Sequence, residues 1–163
     1  MVIKSEEPLR LDSKFYQTQY AEIEQHENAF LTTLQHFQGR QVALKCSTGC
    51  RIQDLIEFVN RWKSGEAYLN LERLEVGKFD EHQDQILEAI GAKRIDSAKK
   101  APTHTVPRVF NRYWNSNTDP IKSRTYVVRE TDNRVASILI EDKWLNFGVW
   151  DKTEDEFLKM VDS

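Results

Sequence analysis

Ile52, Leu55, Ile56, Val59 and Trp62 recur at spacings of three and four, and this one stripe constrains the chain more than any other feature. It predicts an amphipathic helix that must bury its apolar face. Ser47-Thr-Gly-Cys-Arg ahead of it offers hydroxyls to the free amides of a helix start, and Gly65 ends it. On either side lie short stretches with strand-like alternation, residues 41–46 with Val42, Leu44 and Cys46, and residues 69–76 with Leu69, Leu71, Leu74 and Val76. A second helix is predicted after Asp80, with His82, Ile86, Leu87 and Ile90 as its inner face and Gly91 as its stop. The order is strand, helix, strand, helix. The strands lie roughly 30 residues apart, near the period of leucine-rich units, which favours parallel strands.

The flanks read differently. Residues 1–12 show no period and are predicted to be an N-terminal arm; residues 13–163 are predicted to form a single domain. Tyr20, Ile23, Phe30, Leu31 and Leu34 predict a further helix over about 17–37, stopped by Gly39. After Ala92, a basic connecting loop is expected over about 92–117, with Pro102, Pro107 and one short strand at most. Residues 124–130 and 134–140 flank Thr131-Asp132-Asn133, a hairpin turn, and residues 144–150 follow a second turn at Glu141-Asp142-Lys143. Thr153 and Glu156 have capping-box spacing ahead of Phe157, Met160 and Val161. The predicted class is therefore α/β: two leucine-rich-like strand-helix units with parallel strands, an antiparallel three-stranded meander and a C-terminal helix.

Composition narrows the function classes. With 26 acidic against 23 basic residues the net charge is −3, which is not that of a generally basic nucleic-acid coat. No run of about 18 apolar residues predicts a membrane span, and the first residues lack a secretory core. Two cysteines suggest a reducing compartment, cytoplasmic or nuclear. Cys46 and Cys50 lack a second cysteine pair and are expected to be free, metal-free thiols. A nucleophilic cysteine would need a histidine and a positive setting; Arg51 and the helix start supply part of it. His26, His36, His82 and His104 are scattered and read as surface or half-buried residues. The six glycines form no phosphate-binding loop. No enzyme, cofactor or metal is predicted.

Residues 51–76, Arg-Ile-Gln-Asp-Leu-Ile-Glu-Phe-Val-Asn-Arg-Trp-Lys-Ser-Gly-Glu-Ala-Tyr-Leu-Asn-Leu-Glu-Arg-Leu-Glu-Val, are a cap, an apolar helix ending in Trp, a Gly turn and a Leu-x-x-Leu strand. Residues 129–140, Arg-Glu-Thr-Asp-Asn-Arg-Val-Ala-Ser-Ile-Leu-Ile, with Phe147-Gly-Val-Trp150, add an Arg, an Asp in a turn, an Ala-containing strand and a closing Val-Trp. Together these blocks resemble the nematode-type F-box-associated domain, in its second type, as in F-box B proteins; the resemblance spans residues 41–150. It implies a non-enzymatic protein-binding module for substrate recognition in a Skp1, cullin and F-box ubiquitin ligase. The F-box itself has no counterpart in residues 1–40, so Skp1 docking by these residues alone is not expected.

One stretch stands apart from that pattern. Lys93, Arg94, Lys99, Lys100, Arg108 and Arg112 lead to Tyr113 and Trp114, with Asp96 as the one acid among them. Cations beside stackable rings suit single-stranded nucleic acid, where phosphates are neutralised and bases stack. They equally suit a protein interface, or cations that answer the chain's own acids. Arg108, Arg112, Tyr113 and Trp114 are the candidate partner-binding residues, for a protein partner first and a nucleic acid or ribonucleoprotein second.

Overall fold

The structure, a computed structural model, describes residues 2–5, 18–25, 30–109 and 116–162. It is a mixed α/β fold on one eight-stranded sheet. The strands are β1 (Val2–Ser5), β2 (Tyr20–Gln25), β3 (Gln41–Cys46), β4 (Arg73–Gly77), β5 (Lys93–Arg94), β8 (Thr125–Val128), β9 (Arg134–Glu141) and β10 (Trp144–Thr153). A small separate ribbon pairs β6 (Thr103–His104) with β7 (Ile121–Lys122). The helices are α1 (Phe30–Gln35), α2 (Ile52–Ser64), α3 (Gln83–Ala89) and α4 (Glu154–Asp162). Strand order is β1-β2-β3-β4-β10-β9-β8-β5. The first four strands are mutually parallel and every later pairing is antiparallel.

α2 forms where its apolar stripe predicts and is the crossover between the parallel neighbours β3 and β4. It starts at Ile52 with Arg51 as N-cap, a residue whose own side chain makes no cap bond. Gly65 ends it in the left-handed region at φ 78°, its N–H reaching back to the helix carbonyls. Trp62 and Phe58 meet the edge of the Phe147 ring at 5.2 and 5.4 Å, on the sheet face that also carries Leu74, Val42 and Ile138. Trp62, Leu71 and Leu74 lie together in this core, as the helical stripe requires.

Four expectations change. The helix predicted over 17–37 is instead β2 followed by the short α1. Ala21 and Ile23 alternate as well as they fit a helical stripe, and pairing with Val42 and Leu44 of β3 buries both, so the open edge of β3 decides in favour of a strand. The second parallel strand begins at Arg73, four residues late: Tyr68 turns the chain at φ 64° and leaves Leu69 59% exposed. His82, not Asp80, caps α3, its Nδ1 accepting from the Asp84 N–H at 3.2 Å; the cap is therefore exposed while Ile86 and Ile90 are buried. The connection over 92–117 holds β5, β6 and a bridge between Pro107 and Asn117.

The antiparallel end follows its turn chemistry. β9 and β10 are joined by Asp142 and Lys143, both at positive φ, which matches the twist of a two-residue hairpin. Thr153 and Glu156 form the reciprocal capping box: the Thr153 N–H donates to Glu156 Oε2 at 2.8 Å and the Glu156 N–H to Thr153 Oγ1 at 3.4 Å. α4 then packs on the sheet face opposite α2, where Phe157 meets Tyr126 and Trp150. Among the described residues no helix is long and apolar enough to cross a membrane.

Candidate interaction site

Two polar residues that open apolar strands position the site. Gln41, at the start of β3, is buried, and its amide grips the backbone on both sides of Arg108: Nε2 donates to Pro107 O at 2.7 Å, and Oε1 accepts from the Val109 N–H at 3.2 Å. Arg73, at the start of β4, donates through Nη1 to Asp119 O at 2.6 Å and through Nη2 to Glu75 Oε1 at 2.8 Å. The arm held this way is a ribbon. Its two sides are joined by Thr118 N–H to Val106 O at 2.8 Å and Arg108 N–H to Ser116 O at 2.7 Å. Arg108 Nη2 closes the ribbon on Asp119 Oδ1 at 2.9 Å.

Between this arm and strands β2, β3 and β4 lies a cleft of about 370 Å³ lined by Tyr20, Glu22, Gln41, Arg73, Glu75 and Arg108. The Tyr20 hydroxyl donates to Glu22. Burial first, and then that carboxylate, hold its ionisation well above the usual tyrosine range. A larger cavity of about 830 Å³ lies at the start of the parallel strands, between the Arg40–Glu72 pair at 2.6 Å and the Arg134–Asp151 pair at 3.2 Å. His104 and Trp150 form part of its wall.

His104 is 2% exposed, not the surface or half-buried residue the sequence suggests. Its Nε2 lies 3.0 Å from Val149 O, and its ring lies so close over Gly148 that a Cβ there would come within 2.5 Å of Nδ1. Glycine at 148 is what admits the ring. Burial holds the His104 pKa below its ordinary value, so the neutral form is favoured. His36 and His82 are exposed, and His26 lies outside the described residues.

The basic stretch largely answers the chain's own acids. Lys93 pairs with Glu154 at 2.8 Å, Arg94 with Asp84 at 3.4 Å, Lys99 with Asp162, and Arg108 with Asp119. Each exposed pair contributes little to stability, but together they cancel much of the local positive field. Of the predicted partner-binding residues, Arg108 is thus half-buried in an intramolecular ion pair, and Arg112, Tyr113 and Trp114 lie outside the described residues. Gln41, Arg73 and Asp119 escape sequence reasoning. The one available signal is a long polar residue at the head of an apolar strand.

Cys46 ends β3 and Cys50 precedes α2; both are free and buried. The Cys50 thiol donates to Gly77 O at 3.2 Å. Among the described residues no group of three or more His, Cys, Asp or Glu is placed to hold a metal ion. No family model, curated protein or solved structure matches the chain.

Proposed function

We propose that this chain is a non-enzymatic protein-binding module of the nematode-type F-box-associated kind, contributing substrate or partner recognition in ubiquitin-ligase biology, in the cytoplasm or nucleus. The observation that carries the reading is that the two sequence blocks of the resemblance are packed on each other. Trp62 of the first block meets Phe147 of the second edge-on at 5.2 Å, and Arg129 of the second lies 5.2 Å over the Trp62 ring. Residues that mark the family pattern are thus the residues that join the α2 crossover to the antiparallel meander. In this reading β3 with α2 and β4 with α3 are the two leucine-rich-like units.

The proposed partner surface is the described ribbon of residues 105–109 and 116–119 with the cleft beneath it, where Arg108 lies; Arg112, Tyr113 and Trp114, the other proposed anchors, lie outside the described residues. The ion pairs along 93–108 favour a protein partner over nucleic acid, because cations already facing carboxylates release fewer counterions from a phosphate backbone. Affinity purification with the full chain tests this, comparing wild type with Trp114→Ala and with Arg108→Gln/Arg112→Gln. The expected result is a protein partner lost with Trp114→Ala and only mildly weakened by salt. Binding of single-stranded RNA whose log affinity falls by several units per log unit of salt, and flattens in the double Arg variant, would replace this reading with the nucleic-acid one.

A further inference from the structure

The ribbon over 105–109 and 116–119 continues β6 and β7, and one buried side chain ties its base to the main sheet. His104 of β6 reaches Val149 O of β10 through Nε2 at 3.0 Å. A carbonyl only accepts, so Nε2 carries the proton and Nδ1 is the bare nitrogen. That nitrogen is buried and has no hydrogen-bond partner among the described residues. Its ring edge and Ile121 of β7 instead converge on Gly148, where an added Cβ would come within 2.5 Å of Nδ1, 2.8 Å of Cε1 and 2.9 Å of Ile121 Cδ1. Trp150 closes the slot from the side, its ring 5.1 Å away and tilted by 73°. The slot therefore fits an imidazole and offers no acceptor to an imidazolium. The surrounding charges are already engaged. Glu72 and Arg73 act on the ring with opposite sign, Glu72 held by Arg40 at 2.6 Å and Arg73 by Glu75 at 2.8 Å. On β10, Gly148, Val149 and Trp150 are uncharged, and Asp151 beyond them pairs with Arg134. On β7, Lys122 is exposed, and α4 meets this corner through Phe157 against Trp150.

We propose that His104 is a pH-sensitive latch: neutral, it closes the β6–β7 ribbon on β10; protonated, it leaves its slot over Gly148 and lets the base of the ribbon lift. Protonation adds an N–H at Nδ1 where no acceptor waits, and a buried donor left unmade is relieved only when the ring reaches water. The strands it pins are short, since β6 and β7 pair over two residues each. Gln41 and Arg73 still grip the ribbon further out, at Pro107, Val109 and Asp119, so the motion is a local opening and not unfolding. Lifting uncovers Val149 O and joins the vacated slot to the cavity of about 830 Å³ whose wall His104 helps to form. Acid thus remodels the ground beside the proposed partner surface, whatever partner that surface takes.

Amide hydrogen exchange of the full chain without a partner tests this, read residue by residue by NMR between about pH 7.5 and about pH 5.5 and corrected for intrinsic rates. The reporters are the Thr118 and Ser123 N–H groups, which donate across the ribbon to Val106 O and Pro102 O. A freed imidazole takes its proton near about 6.5 and a latched one does not, so the open fraction should rise about 10-fold over this range. Amides of β9 and β10 should keep their protection. His104→Gln, which retains a donor for Val149 O, should show no such pH response at the ribbon. A wild-type ribbon response below about 2-fold, the same response in His104→Gln, or ribbon and β9–β10 amides losing protection together would overturn the proposal.

Discussion

The guanidinium of Arg129 lies 5.2 Å from the centroid of the Trp62 ring, tying the turn between β8 and β9 to the last turns of α2. Arg129 is 4% exposed on its side chain and reaches Asp132 with two bonds, Nε to Oδ1 at 2.9 Å and Nη2 to Oδ2 at 2.7 Å. The Glu130 N–H adds a bond to Lys63 O at 2.8 Å. Gly65 completes the junction, since a Cβ there would come within 2.5 Å of the Thr131 side chain. Helix end and hairpin turn are therefore one packed unit, held by a ring, a fork and a missing side chain.

Trp62 is fully buried between that fork and Phe147. Trp62→Ala removes the largest side chain of the main core and is expected to cost about 3–5 kcal/mol, with Trp62→Phe clearly milder. Urea unfolding of the two variants beside wild type measures this. A loss below about 1 kcal/mol for Trp62→Ala would mean the ring is not held as described.

The Arg129 fork, above all other causes, holds the Asp132 carboxyl below its ordinary 3.8. A carboxyl depressed in the folded state adds stability above its unfolded pKa and loses it as pH falls through the folded one. Asp132→Asn should therefore destabilise by about 1–2 kcal/mol at neutral pH, a modest figure because the side chain is 41% exposed. The gap between variant and wild type should close as the pH is taken well below 3.8, which paired unfolding curves across that range will show.

His104 carries the opposite group type with the same slope. Burial lowers its pKa below 6.5, so between the folded and unfolded values the unfolded chain binds more protons. Stability from this site is complete above about 6.5 and falls as pH drops through that window. In His104→Gln, which keeps an N–H donor for Val149 O, the melting temperature should depend less on pH between about 7.5 and 5 than in wild type. His36 and His82 are common to both proteins and cancel in the comparison.

Thr153 and Glu156 cap a helix of nine residues whose Phe157 fills the second core. Thr153→Ala should cost about 1 kcal/mol, and Thr153→Ser almost nothing, because serine keeps the accepting oxygen. Thermal unfolding followed at the aromatic signal of Tyr126, Trp150 and Phe157 is the readout.

What the sequence determines by itself is local. The five-residue stripe of α2, the Gly65 stop, the hairpin turn at 131–133 and the capping box each contain their own cause within a few neighbouring residues, and all appear where predicted. What tertiary structure decides is every choice that depends on a distant partner. β2 has a pattern compatible with helix or strand, and the unpaired edge of β3 selects the strand. β10 inserts antiparallel beside β4, joining the parallel and antiparallel halves in one sheet, a pairing between segments too far apart in the chain for any periodicity to report. Gln41 and Arg73 read as ordinary polar residues until the returning arm gives them backbone carbonyls to hold, and His104 reads as a surface or half-buried residue until Gly148 makes room for its ring. Periodicity records which face of an element is apolar; the partner that covers that face is set by long-range burial and hydrogen-bond satisfaction, which exist only once the chain has closed on itself.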